Sequence, residues 1–252
     1  MQIMKRKIPA VYFYIPAAVF LTALWYVISL AVHLPIIPSP WPVLERLAAI
    51  FSDTIAVHML YSLWRIAAGV FLAVAVGVPL GMMMGYFKKA DALLAPVVYL
   101  TYPIPKIALM PILMLLAGIG ELPKIIMIFL IVIFQLLVAL RDGVHAIPRE
   151  IFCSLYSLGA SFKEIFTYIL WPAVLPNFIT ALRVAMGTAV SVLFFTETFG
   201  TKYGMGYFIM DAWLRVNYLD MYAGIIVLSL MGLCLFGLLD LCEYRFCRWK
   251  KK

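Results

Sequence analysis

Apolar runs long enough to cross a bilayer recur along this chain from Val11 to Leu241, and they constrain its fold more than any other feature. A helix needs about 20 such residues to span the hydrocarbon, so a chain of 252 residues holds about five to seven spans with short connections. Composition agrees: 65% of the residues are hydrophobic and 13% charged, at a mean hydropathy of +1.03, whereas soluble domains are about 25% charged. One such run is compatible with a buried core helix, but repetition from end to end excludes a water-soluble fold and leaves no length for a separate soluble domain. The expected class is an all-α integral membrane protein, with residues 1–252 forming a single transmembrane domain.

The first run, Val11 to Val32, follows the basic triplet Lys5-Arg6-Lys7. It is longer than the apolar stretch of a signal peptide and has no small-residue cleavage site, so it is expected to remain as the first span. Pro35, Pro38, Pro40 and Pro42 then mark a loop leading to an interfacial helix over Val43 to Ser52. A second span is expected over Met59 to Tyr86, where Gly69, Gly77, Gly81 and Gly85 either form a small-residue face for close helix contact or simply loosen the helix. The third, Ala92 to Ala117, is interrupted by Pro96, Pro103, Pro105 and Pro111. Broken helices in membranes line a cavity or pack inside protein, because their freed carbonyls cannot face lipid. Ile125 to Leu140, Phe178 to Phe195 and Tyr222 to Leu241 complete six spans, the last two separated by a polar loop.

Charge tests this arrangement. With the N-terminus inside, thirteen cations fall in cytoplasmic segments: Lys5, Arg6, Lys7, Lys88, Lys89, Arg141, Arg149, Lys163, Arg245, Arg248 and Lys250 to Lys252. Four fall outside, namely Arg46, Lys124, Lys202 and Arg215, while Arg65, Lys106 and Arg183 lie in or near spans. The inside bias predicts both termini in the cytoplasm. It also accounts for most of the net charge of +8, which otherwise would suggest a nucleic-acid partner. Cys153, Cys234, Cys242 and Cys247 form no C-x-x-C pair and stand near no histidine cluster, so no metal site is expected. Met82-Met83-Met84 reads as core filling rather than a metal path.

The apolar pattern breaks for about 34 residues between Gly143 and Pro176, too long for a hairpin connection and too apolar for a disordered linker. Arg149 to Leu158 reads as a short amphipathic helix, Gly159 as a stop able to take positive φ, and Ser161 with Glu164 as a capping box for a second helix. Phe162, Ile165, Phe166 and Ile169 recur on that second helix at helical spacing, before Pro172 and Pro176 re-enter the membrane. From pattern alone this helix-turn-helix either lies on headgroups or fits a partner's groove.

Leu158-Gly159-Ala160-Ser161, followed by Phe162 to Leu170, Trp171-Pro172, Leu175-Pro176 and Ala181-Leu182-Arg183, resembles the EAA-loop signature of binding-protein-dependent ABC transporter permeases. The likeness covers nearly the whole chain and looks closest to the nitrate/sulfonate/taurine/bicarbonate branch. It includes Ile37-Pro38-Ser39-Pro40, Pro103-Ile104-Pro105, Gly118-Ile119-Gly120-Glu121 and Gly204-Met205-Gly206-Tyr207. Such permeases carry no catalytic chemistry. The resemblance implies a second permease subunit, most simply another copy, with the pathway between the two. It implies a cytoplasmic ATPase dimer, holding ATP and Mg, that grips the loop, a periplasmic or lipid-anchored binding protein that delivers solute, and a bacterial inner-membrane location. No cofactor is expected on this chain. The coupling residues would be Glu150, Ser157, Leu158, Gly159, Ala160, Ser161, Glu164, Phe166, Pro172 and Pro176. One departure stands out: Cys153-Ser154-Leu155 occupies the place of the usual Glu-Ala-Ala, which makes Glu150 the candidate substitute for the missing acid.

Charges inside the membrane are the other functional candidates, since each is costly unless paired or wetted. Lys106 reaches either the inner headgroups or the pathway, and Arg183 either snorkels or gates. Glu197 is expected to pair with Lys202 or to meet the binding protein, and Tyr203, Tyr207, Trp213 and Tyr218 form an interfacial belt or a docking surface. Two other classes compete with the permease reading. An ion-coupled secondary transporter needs a buried acid in midspan and inverted repeats, neither of which is evident. A structural subunit has no use for a folded loop. His33, His58 and His145 are too dispersed for an enzyme.

Overall fold

The computed structural model describes residues 11–247 and 249, with side chains from Ile15 onward; the terminal cations Lys5, Arg6, Lys7, Arg248 and Lys250 to Lys252 that entered the charge argument lie outside the described residues. Every regular element among them is helical. Helix α1 (Val11–Val32) has the expected bounds. The interfacial helix, α2 (Pro40–Ile50), is not separated from the second span. It continues through one π turn, Phe51–Ile55, into α3 (Ala56–Tyr86).

Then comes a broken pair. Helix α4 (Lys88–Thr101) ends at Tyr102-Pro103-Ile104-Pro105, and after the 3-10 turn Lys106–Leu109 the chain resumes as α5 (Met110–Ala117), bent by 83°. The prolines at 103 and 105 remove the N–H groups that the carbonyls of Tyr99 and Thr101 would otherwise meet, so the helix cannot run straight on. Helix α6 (Glu121–His145) follows. Among the described residues, five helical segments are long and apolar enough to span a membrane, and α4 with α5 supplies a sixth crossing. Packing requires that crossing, because α3 and α6 lie side by side in the same direction. Gly69 meets Ile128 and Gly85 meets Val144, so the chain between them must return across the bundle.

The glycines of α3 form a face, not a flexible stretch. A Cβ placed at Gly69 would sit 2.6 Å from Ile128, at Gly81 2.9 Å from Leu140 and at Gly85 2.5 Å from Val144. Small residues thus let two backbones approach where apolar burial gives no net driving force in lipid. The residues 143–176 divide differently from expectation. Helix α6 runs on to His145, α7 (Arg149–Ser157) and α8 (Phe162–Ile165) form the hairpin, and a π turn at Phe166–Leu170 leads without a gap into α9 (Trp171–Glu197). Pro172 cannot donate to the carbonyl four residues back; the wider turn absorbs this, with the Trp171 N–H donating to the Phe166 oxygen. Pro176 lies inside α9.

The expected polar loop at 200–220 is largely a helix, α10 (Met205–Leu214), before the last span α11 (Tyr218–Phe246). Its ten residues are too few for a span, so span-length hydropathy missed it. Phe208 and Met205 pack with Val43, Ile55, Ala223 and Val227 into a small core that joins α2, α10 and α11. The end of α11 falls on the hairpin side of the bundle, where Asp240 and Glu243 meet Arg183 and Cys247 packs with Leu175 and Ile179, and Arg65 lies toward the other.

Candidate functional site

The hairpin is built from local signals. Helix α7 ends in a Schellman motif: the Ala160 N–H donates to the Leu155 oxygen at 3.1 Å and the Gly159 N–H to the Tyr156 oxygen at 3.0 Å. Gly159 takes φ +74, with open space around it, so the backbone and not crowding requires glycine. Ser161 then opens α8. Its N–H and hydroxyl both donate to Glu164 Oε2 at 2.7 Å, and the Glu164 N–H donates to Ser161 Oγ at 3.4 Å, which completes the expected capping box. Between the two caps Leu158 is 84% exposed, the most exposed large hydrophobic side chain of the hairpin.

Aromatic rings attach this hairpin to the end of α3. Tyr86 lies 5.3 Å from the Phe162 ring and 6.1 Å from Phe152, its hydroxyl is 2.6 Å from that of Tyr156, and Phe87 lies 5.7 Å from Phe162. Phe166 continues the series to Trp171, at 6.4 Å and nearly parallel. Leu155 and Ala160 face the main core while Leu158 faces away. Glu150 is exposed in the first turn of α7, one turn from Cys153 and hence on the same helix face. Ser157 donates to the Cys153 carbonyl at 3.0 Å. The ten candidate residues therefore form one continuous element, except Pro176, which sits deeper along α9.

At the opposite end a buried charge cluster was only half visible in the sequence. Arg65 is fully buried, and its five N–H groups meet five acceptors. Nε and Nη2 grip Glu121 at 2.6 and 2.7 Å; Nη1 donates to Glu197 at 2.6 Å and to the Tyr203 carbonyl at 2.8 Å; Nη2 also reaches Thr201 at 3.2 Å. Glu197 does not pair with Lys202 as expected. Buried beside Arg65, it also accepts from Ser62 at 2.8 Å and from the Gly206 N–H at 2.8 Å. A Cβ at Gly206 would lie 2.8 Å from that of Glu197, so the glycine lets the backbone reach the carboxylate. Lys124 completes the cluster, donating to the Gly120 carbonyl at 2.6 Å. Balanced charges and the filled donor sites of Arg65 make this a clamp that ties the ends of α6, α9 and α10 to α3, not an open site.

The remaining embedded charges separate into paired and unpaired. Arg183 lies 2.6 Å from Asp240 and 2.7 Å from Glu243, tying α9 to α11. Lys106 lies over the Phe134 ring, 4.6 Å from its centroid, about midway along α6. Tyr203 stacks on Tyr61 at 4.9 Å and is therefore part of the packing at the clamp. Arg65 and Glu121 are the functional-looking residues the sequence reading passed over; a lone cation inside one span and a lone acid at another's end were the available signal.

Residues 77–247 match the family model described as "Binding-protein-dependent transport system inner membrane component". The chain is 32% identical over 225 residues to the taurine transport system permease protein TauC of Escherichia coli (strain K12), covering 86% of this chain and 82% of the relative. It is 29% identical over 229 residues to a probable ABC transporter permease protein of Brucella abortus (strain 2308), covering 90% and 91%. Among solved structures, an inward facing conformation of the MetNI methionine ABC transporter superposes with a TM-score of 0.62 over 77% of this chain and 95% of that one, at 17% identity, which speaks for the fold alone. Six crossings, a capped and exposed hairpin and these likenesses agree: the chain belongs to the binding-protein-dependent ABC transporter permeases, in the branch that includes the taurine and sulfonate permeases.

Proposed function

We propose that this permease forms the membrane pathway of an ATP-driven importer for a small anion such as a sulfonate, taurine, nitrate or bicarbonate. Both termini and the α7–α8 hairpin lie in the cytoplasm, where the hairpin seats a separate ATPase dimer that holds ATP and Mg. A second permease subunit, most simply a copy of this chain, faces it across the pathway, and a binding protein delivers the solute. The chain has no catalytic residues of its own.

The observation that carries this reading is the hairpin: a motif capped at both helix ends that presents an exposed leucine and is bound to α3 through tilted aromatic ring contacts. A floppy loop would absorb a push from the ATPase. A capped helix pair transmits it to α3 and, through the glycine face, to α6. The taurine permease likeness supports the choice of anion.

Purification of the full chain together with its ATPase and binding protein tests the proposal, using ATP-dependent uptake of labelled taurine, nitrate, methanesulfonate and bicarbonate into vesicles. The expected result is a stable complex and uptake that needs ATP. Solute flux by the purified chain with no ATPase present would favour the secondary-transporter reading and sink this one.

A further inference from the structure

Cations that enter the bundle meet carboxylates, with one exception. Arg46 pairs with Asp220, Arg65 with Glu121 and Glu197, Arg141 with Asp91, and Arg183 with Asp240 and Glu243. Lys124 lies beside the same two glutamates that hold Arg65. Lys88, Lys89 and Arg245 are exposed in the end turns of their helices. Lys106 remains: no carboxylate among the described residues pairs with it.

Its depth makes this unusual. The amine lies over Phe134, the fourteenth residue of the 25 in α6 and so about 20 Å along that helix from Glu121. Lys106 therefore sits near the middle of the membrane. Its amine donates to the Thr101 carbonyl at 2.7 Å and the Tyr102 carbonyl at 2.6 Å, leaving one of three N–H groups with no oxygen acceptor, only the face of the Phe134 ring beside it. Capping a broken helix accounts for the two bonds but not for the charge. A neutral amide would cap as well, and the attraction of a helix C-terminus recovers less than a charge at the bilayer centre costs. At the level of the residue after Phe134, Gln135 donates weakly to Thr188 at 3.4 Å and leaves its buried Oε1 without a partner, so polar groups from α6 and α9 share this depth.

We propose that Lys106 is the anion-binding cation of the translocation pathway. The missing counter-charge is supplied by the solute, whose sulfonate, nitrate or carboxylate oxygen accepts from the third N–H as it passes the break between α4 and α5. This rests on the reading of the chain as an anion importer, and it assigns the group that meets the anion inside the membrane.

The test compares Lys106→Gln and Lys106→Arg in the assembled importer, with uptake measured against concentration for taurine, nitrate, methanesulfonate and bicarbonate. For whichever of these the unaltered importer carries, Lys106→Gln is expected to raise the apparent KM at least about tenfold while complex yield and basal ATP hydrolysis hold, and Lys106→Arg to stay within about threefold. An unchanged KM in Lys106→Gln overturns the proposal and leaves the importer reading standing. Uptake of a solute that carries no anionic group, and of none of these four, sinks the anion reading and takes the proposal with it. A second measurement applies to the unaltered complex, so that failed assembly of a variant does not shield the idea. Lys106 should be acetylated by a membrane-impermeant sulfosuccinimidyl ester, mapped by mass spectrometry, and protected by the transported anion. A Lys106 that serves only as a helix cap, sealed from water, would stay unlabelled, and that result also overturns the proposal.

Discussion

In the first half of α3, Arg65 is fully buried with every N–H on an acceptor; at the far end, Tyr86 and Phe87 hold a hairpin whose tip, Leu158, is 84% exposed. The first region gains its order from charge pairs drawn from three helices and a backbone N–H of a fourth, the second from caps within a few residues of chain. Arg65 has no free N–H, and it and Glu197 are buried away from any partner. The hairpin is internally satisfied yet leaves an apolar tip unused, as a docking element does. A permease that alternates between states needs both: helix ends fixed to one another, and a handle by which an outside machine can move them as one body.

The contrast can be broken from either side. Arg65→Met should have the largest effect, since it strands the buried Glu197. A loss of about 3–5 kcal/mol is expected, seen as a lower melting temperature in detergent, with Arg65→Met/Glu197→Met recovering part of it. The pair to Glu121, whose side chain is 42% exposed, should matter less than the pair to Glu197. Gly206→Ala pushes a methyl against Glu197 and the Phe194 carbonyl and should cost about 1–3 kcal/mol by the same measurement. Gly159→Val forces a branched residue into φ +74, at about 1–2 kcal/mol. Its stability loss is small but its functional loss is expected to be large: insertion and ATP hydrolysis persist while uptake in vesicles falls. Unchanged uptake would show that the turn geometry is not what couples. Ser161→Ala removes one cap at about 1 kcal/mol and should appear as faster amide exchange at the start of α8, with only a modest drop in uptake.

The same contrast explains what the sequence made legible. Gly159 and the Ser161/Glu164 box were readable because capping acts over three or four residues, and the first span was readable because hydropathy needs no tertiary partner. The pairing of Arg65 with Glu197, 132 positions apart, has no local signature, and Lys202 looked like the natural partner only because it is near in sequence. Proline spacing gave the break in the third span, but not that the chain bends by 83° there or that the Lys106 amine lies over Phe134. Helix α10 escaped because ten residues opening on glycines do not register as a span.

Coupling through the hairpin is tested most directly by a cross-link. Leu158→Cys, in a chain whose native cysteines are replaced, is assembled with an ATPase carrying single cysteines along its exposed grooves and treated with a short bismaleimide. The expected result is a permease–ATPase adduct whose yield changes when ATP is added. A Leu158→Cys thiol that reacts freely with a small maleimide in the assembled, transporting complex, yet joins the ATPase at none of those positions, would contradict the assignment of this hairpin as the coupling element.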